Sequence, residues 1–204
     1  MTRRKNGVHL PAELTVLTRL SREYGHAEPA IAQTAPDRFK QPIAEEQWRR
    51  LMQELRENFA APDRQRMQTL ATGIREGLLW CDEVMDRYCR LTCPGCRDFC
   101  CDADGIYFDL ADLIYLLVLE SDLPAGQTRP RRGDPCRYLA REGCILPRMC
   151  RPFICTWYLC EPQMDLLAAE PIPFQKQLTA VLQLVRRCRQ QLLALHEGQG
   201  GINR

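Results

Sequence analysis

Apolar residues recur every three to four positions along most of this chain, and that spacing predicts α-helices wherever it runs unbroken. Leu14, Leu17 and Leu20 set the first stripe, and Pro11 suits the start of a short helix from Pro11 to Leu20. Three prolines and scattered charge from Glu28 to Pro42 predict an extended linker lying on other structure. After Pro42, the residues Trp48, Leu51, Met52, Leu55 and Phe59 share one face of a second helix, with Glu and Arg on the other. Pro62 suits the first position of a third helix, whose apolar face carries Met67, Leu70, Ile74, Cys81, Val84, Met85 and Tyr88. Gly73 and Gly77 lie on this helix and weaken its intrinsic propensity. The loop between these two helices is short, which predicts an antiparallel hairpin. Cys81 falls on the apolar stripe and reads as a buried structural thiol.

Further along, Gly105-Ile-Tyr-Phe reads as a strand-like step. Asp109 is then a candidate N-cap, with Asp112 at the third helical position. Leu110, Leu113, Ile114, Leu116, Leu117 and Leu119 make the helix that follows apolar on most sides, hence buried. Residues 123–135 form a loop rich in proline, glycine and arginine, and from Cys136 to Cys160 little periodicity survives. A last amphipathic helix spans Gln175 to His196 through Leu178, Val181, Leu182, Val185, Cys188, Leu192 and Leu195, with Cys188 as core and a fraying tail from Gly198. The expected fold is mainly α, a helical scaffold carrying an irregular cysteine-rich metal-binding lobe. Its parts are an N-terminal extension and linker (1–42), a helical hairpin (43–92), the cysteine-rich module (93–165) and a C-terminal helix (166–204).

Nine of the 12 cysteines fall between Cys93 and Cys160, while the three histidines, His9, His26 and His196, all lie outside that stretch. A thiol-only set of this density suits soft metal, either a Cys₄ zinc site or an iron–sulfur centre. Cys93-Pro-Gly-Cys96 is a chelating turn, in which two intervening residues let both sulfurs reach one ion. Neighbours on an extended backbone point in opposite directions. One of Cys100 and Cys101 can therefore complete the site begun by Cys93 and Cys96, and the other turns to a second centre or into packing. Cys136, Cys144, Cys150, Cys155 and Cys160 supply further ligands. Cys89 could face the centre from the last helical turn, but reads better as structural. Metal must replace core burial as the organiser of this region.

Composition adds bounds. Hydrophobic content of 45% and charged content of 26% are those of a globular protein, and a net charge of +2 gives no argument for nucleic acid. Seven arginines against Asp134 and Glu142 between Arg129 and Arg151 leave a local excess of +5. Guanidinium groups there would offset the negative charge of a thiolate centre or face a partner, although Arg129, Arg131 and Arg132 read first as a solvated loop. The N-terminus is basic without a following apolar stretch, and the apolar run from Leu113 to Leu119 is too short to cross a bilayer. The expectation is a cytoplasmic protein with reduced thiols, so a disulfide framework is the weaker explanation of the even cysteine count.

No phosphate-binding loop or dinucleotide fingerprint is present. Cys89, Cys93 and Cys96 meet the C-x₃-C-x₂-C spacing of radical enzymes, but the strands and length of an α/β barrel are missing. Asp98, Asp102 and Asp104 read as solvated loop acids, and Trp157 and Tyr158 as shields for the centre.

The order of these blocks resembles the bacterial and archaeal cysteine-cluster proteins described as zinc- or iron-chelating domains, a module shared with flagellin lysine methylases. Cys93, Cys96, Cys100 and Cys101 match the family's CxxCxxCC block with one residue inserted. Cys136 with Leu139 matches its isolated cysteine, Cys144 follows loosely, and Arg151-Pro152-Phe-Ile-Cys155 matches R-P-x-x-C closely. Leu146 and Pro147 depart from the family's Ile-Tyr, and Thr156 stands where it has a basic residue. Cys150 and Cys160 go beyond the family minimum. The resemblance covers residues 93–160 and implies a [4Fe–4S] cluster, in one or two metal centres, with zinc as the alternative. It implies that Arg151 either hydrogen-bonds a cluster sulfur or holds its loop to a carbonyl. The leading expectation is a small iron–sulfur protein with a redox, electron-carrying, cluster-transfer or maturation role, accessory to a protein partner or larger enzyme. The alternatives are an iron–sulfur enzyme such as a methyltransferase, and a structural zinc module for protein interaction.

Overall fold

The computed structural model describes residues 10–24, 37–97, 100, 105–141 and 143–198. Among these the chain forms seven helices and one two-stranded ladder, so the fold is mainly α as its periodicity predicts. The helices are α1 (Thr15–Tyr24), α2 (Glu45–Glu57), α3 (Arg64–Thr92), α4 (Leu110–Val118), α5 (Ile154–Trp157), α6 (Glu161–Ala168) and α7 (Ile172–Glu197). The ladder pairs β1 (Leu139–Ala140) antiparallel with β2 (Gly143–Cys144), Leu139 lying opposite Cys144.

The long helices α3 and α7 form the spine, and α1 and α4 pack on both of them. All seven apolar positions expected on α3, from Met67 to Tyr88, are buried, and Leu178, Val181, Val185, Cys188 and Leu192 of α7 meet them. Gly73 and Gly77 are where these helices approach most closely. A Cβ on Gly77 would stand 2.5 Å from Val185 Cγ2 and 3.1 Å from Leu17 Cδ2, and one on Gly73 would stand 2.5 Å from Leu20 Cδ1. The low helix propensity of these glycines is thus the cost of a tight three-helix contact. Gly77→Ala gains about 1 kcal/mol of propensity but loses about 1–3 kcal/mol to overpacking, for an expected net loss of roughly 1 kcal/mol in denaturant unfolding. An alanine variant more stable than the wild type would contradict this packing.

Three boundaries differ from the periodicity. The first helix begins at Thr15 because Glu76 of α3 caps it, accepting from the Val16 and Leu17 N–H groups at 3.0 and 3.1 Å. The third helix starts at Arg64, not Pro62, because the Asp63 side chain accepts from Arg66 N at 3.0 Å and is the true N-cap. The hairpin expected of α2 and α3 is not the main contact of α3. Instead Trp48 of α2 donates from Nε1 to the Pro124 carbonyl (2.8 Å) and packs against Phe39 and Phe108. The extended linker expected from Glu28 to Pro42 lies outside the described residues up to residue 36, as does the tail beyond residue 198.

Helix α4 has the expected N-terminus. Asp109 Oδ1 accepts from Asp112 N (2.8 Å) and Asp112 Oδ2 accepts from Asp109 N (3.0 Å), a reciprocal capping box. Residues 106–109 are not a strand. Gln127 satisfies the Phe108 backbone instead: its Oε1 accepts from Phe108 N (2.8 Å) and its Nε2 donates to the Phe108 carbonyl (3.1 Å) and to that of Phe39 (2.7 Å). The 123–135 loop is therefore partly core. Gln127, Thr128 and Arg129 are buried, Arg129 at 2% exposure, which corrects its reading as a solvated residue; Arg131 and Arg132 are exposed as expected. No helix among the described residues is long and apolar enough to cross a membrane.

Candidate metal centre

The nine candidate ligands do not form one group. Those described divide between two neighbourhoods, with Cys150 and Cys160 at the margins, and Cys101 lies outside the described residues.

The first neighbourhood caps the C-terminal end of α3. Helix α3 passes into a 3₁₀ turn over Cys93–Gly95, closed by Cys96 N donating to the Cys93 carbonyl (3.1 Å). Proline at the second position and glycine at the third shape this turn, which carries Cys93 and Cys96 at its two ends. Burial pushes the Cys93 thiol up to about 11, with further upward pressure from the nearby Cys89 and Cys100 thiols. A bound cation would reverse that push on the Cys93 thiol. Cys160 is the N-cap residue of α6, which packs on this end of α3 and brings Gln163 to Cys89 and Thr92. Cys89 accordingly lies in this neighbourhood, at a position from which it could face a centre. Its place four residues before Cys93 was the signal.

The second neighbourhood lies under the short ladder. Cys144 ends β2, Cys136 closes the turn before β1 by accepting from Leu139 N (3.0 Å), and Cys155 sits in α5. Burial pushes the Cys155 thiol upward, and the Cys144, Cys136 and Asp112 groups add to that push while Arg151 opposes it. Gly143 has φ +115°, a conformation that makes the tight reversal before Cys144. Cys150 ends the 3₁₀ turn Arg148–Cys150, which packs against α5. Its thiol is raised by burial and by the Asp122 carboxylate, and it lies in electrostatic reach of Tyr115. The Tyr115 hydroxyl is buried without a hydrogen-bond partner.

Two buried arginines fix this lobe to the helices. Arg148 pairs with Asp82 (3.1 Å) and Asp86 (3.0 Å) of α3. Arg189 of α7 bridges Asp112 (2.5 Å) and Asp109 (2.8 Å) at the start of α4, with its guanidinium 4.5 Å from the centre of the Phe153 ring. Asp112 Oδ1 also accepts from Phe153 N at 3.1 Å, so the loop leading to Cys155 is tied to α4 and α7 together. Burial pushes Asp112 up to about 7 against the pull of Arg189. Burial also acts upward on Asp109, but Arg189 and Lys40 leave it below the usual carboxylate range. Arg189 interrupts an apolar stripe, and that interruption was the one sequence signal for it.

Arg151 donates from Nε to the Leu146 carbonyl (2.8 Å), the loop-holding alternative of its two expected roles. The Pro152 carbonyl accepts from Cys155 N (2.8 Å) and makes the turn that carries this cysteine. Trp157 and Tyr158 are 45% and 47% exposed, so about half of each ring faces solvent. Cys81 and Cys188 are buried in the helical core as expected. Asp98, Asp102 and Asp104 lie outside the described residues.

Among the described residues, no three His, Cys, Asp or Glu side chains converge closely enough to hold one ion. The donor chemistry nevertheless fits a soft metal. Both neighbourhoods are sulfur-rich and lack imidazole, and Gln163 offers an amide N–H on the sulfur side of the first. In sites of this kind ligation and local folding proceed together, so separated thiols are compatible with a ligand set that closes on its ion. No protein-family model, curated protein or solved structure matches this chain, so the family resemblance rests on its cysteine motifs alone.

Proposed function

We propose that the chain is a small iron–sulfur protein with a redox, cluster-transfer or maturation role, working with a protein partner or larger enzyme in the reducing cytoplasm. The observation that carries this reading is the gathering of the cysteines into two thiol neighbourhoods beside the helical spine. Cys93, Cys96 and Cys100 would contribute to one centre, and Cys136, Cys144 and Cys155 to another. A [4Fe–4S] cluster, when bound, would supply reversible one-electron chemistry or an iron–sulfide unit for delivery. The chain's own residues hold and cover the site: Arg148 and Arg189 clamp the cysteine loops to α3, α4 and α7, and Gln163 faces a sulfur. The exposed Arg131, Arg132 and Arg141 offer a basic edge to an acidic partner surface.

Anaerobic purification followed by iron, sulfide and zinc analysis and a visible spectrum tests the reading. Brown protein with iron and sulfide in equal amounts is expected. A colourless protein carrying one or two zinc ions and no sulfide would replace it with a structural zinc module.

A further inference from the structure

The end of α3 contains a thiol that the cysteine motifs do not include. Cys93 follows α3 with helical backbone angles (φ −66°, ψ −39°), and its N–H donates to the Cys89 carbonyl. Residues four apart on a helix stand on one face, so the Cys89 and Cys93 side chains are neighbours, and the Cys89 thiol is among the groups that push the Cys93 thiol up. A second, independent contact reaches the same sulfur from α6. Gln163 is 4% exposed, its Nε2 donates to Thr92 Oγ1 at 3.2 Å, and the same nitrogen stands 3.7 Å from Cys89 Sγ. A buried amide must find acceptors, and a metal-bound thiolate is a far better acceptor than a neutral thiol. Cys81 and Cys188 are different in kind: both are 0% exposed and sit in the hydrophobic core. Cys89 is partly exposed, beside another thiol, and addressed by a buried donor.

We infer that Cys89 is a metal ligand, the first of a C-x₃-C-x₂-C-x₃-C set with Cys93, Cys96 and Cys100, and that Gln163 orients its sulfur. The inference rests on the metal-binding reading above and sharpens it. The first centre is complete between Cys89 and Cys100, and it is independent of the centre to which Cys136, Cys144 and Cys155 contribute.

Anaerobically purified wild type, C89S and C136S are compared for iron, sulfide and zinc per chain. C89S is expected to lose about half of the bound metal and C136S the other half, with the far-UV spectrum of the helices retained in both. Zinc in place of iron changes the ion and not the ligand, so C89S must then lose zinc. Alkylation of the unmutated protein gives an answer that does not depend on how C89S folds. With metal bound, iodoacetamide should leave Cys89 unmodified. After chelation Cys89 should be modified in step with Cys93, while Cys81 and Cys188 stay protected throughout. Full metal content in C89S, or alkylation of Cys89 while Cys93 is protected, overturns the assignment and leaves the proposed function standing. A wild type with neither iron nor zinc overturns both.

Discussion

Replacing Arg189 with methionine is expected to cost about 3–5 kcal/mol of folding stability, the penalty for breaking a buried ion pair from one side. The guanidinium is 7% exposed and is the shared partner of Asp109 and Asp112. Methionine fills much of the same volume, so the loss reports on charge more than on a cavity. The dependence on pH has a definite sign. A carboxyl whose folded-state value lies above its unfolded value near 4 stabilises fully below that value, and this contribution is lost as pH rises through the folded value. Asp112 already sits at about 7, and without Arg189 it rises further. The R189M deficit should therefore widen as pH rises through about 7, where the paired carboxyl ionises and the unpaired one stays protonated, as measured by urea unfolding at each pH. The double variant D112N/R189M should recover part of the loss, because a neutral amide still accepts from Phe153 N and no longer needs a cation. A deficit below about 1 kcal/mol, or one that shrinks as pH rises, would show that these carboxylates do not depend on Arg189.

That clamp was not legible in the sequence, and the reason is physical. Periodicity reports which residues face the core, and it recovered α2, α3, α4 and α7 along with most of their buried faces. Local hydrogen-bonding chemistry was equally readable where both partners lie within one turn, as in the Asp109–Asp112 capping box. What failed were contacts closed across long separations. Arg189 and Asp112 are 77 residues apart and Glu76 caps a helix some 60 residues earlier, and neither pairing leaves a local pattern. The same holds for Gln127 and Arg129, polar residues buried in a loop whose composition alone says solvent. Gly73 and Gly77 were read through propensity when their role is close packing. At the candidate site the sulfur-only chemistry was plain from composition. Its division into two neighbourhoods was not, because it depends on which loop each buried arginine anchors. Cys89 reads first as structural because it lies on a helix, where a thiol is more often core, and Gln163, which stands beside its sulfur, belongs to a helix that periodicity does not show.

Chelating the metal anaerobically is expected to loosen the cysteine lobe while leaving the helical spine folded. The inventory of buried side chains supports that division. Between Val118 and Leu178, Tyr138 is the only buried hydrophobic residue of the core among those described, whereas α1, α3, α4 and α7 contribute more than twenty. The lobe therefore has little apolar burial to offset the entropy of ordering its backbone. Its buried polar anchors, Gln127, Arg129, Arg148, Thr156 and Gln163, fix positions without contributing much net free energy. On the proposed metal-binding reading, metal–thiolate bonds would be the remaining source of stability, since in such sites binding free energy is folding free energy. Hydrogen exchange read by mass spectrometry should show amides of residues 136–160 exchanging at least tenfold faster after chelation, about 1.4 kcal/mol or more of local stability lost. Amides in the middle of α3 and α7 should keep their protection, and far-UV ellipticity should change little. The last turn of α3, from Cys89 onward, should follow the lobe and not the helix to which it belongs. Uniform protection across both regions before and after chelation would mean that the lobe is held by its polar anchors alone, and that metal is not what orders it.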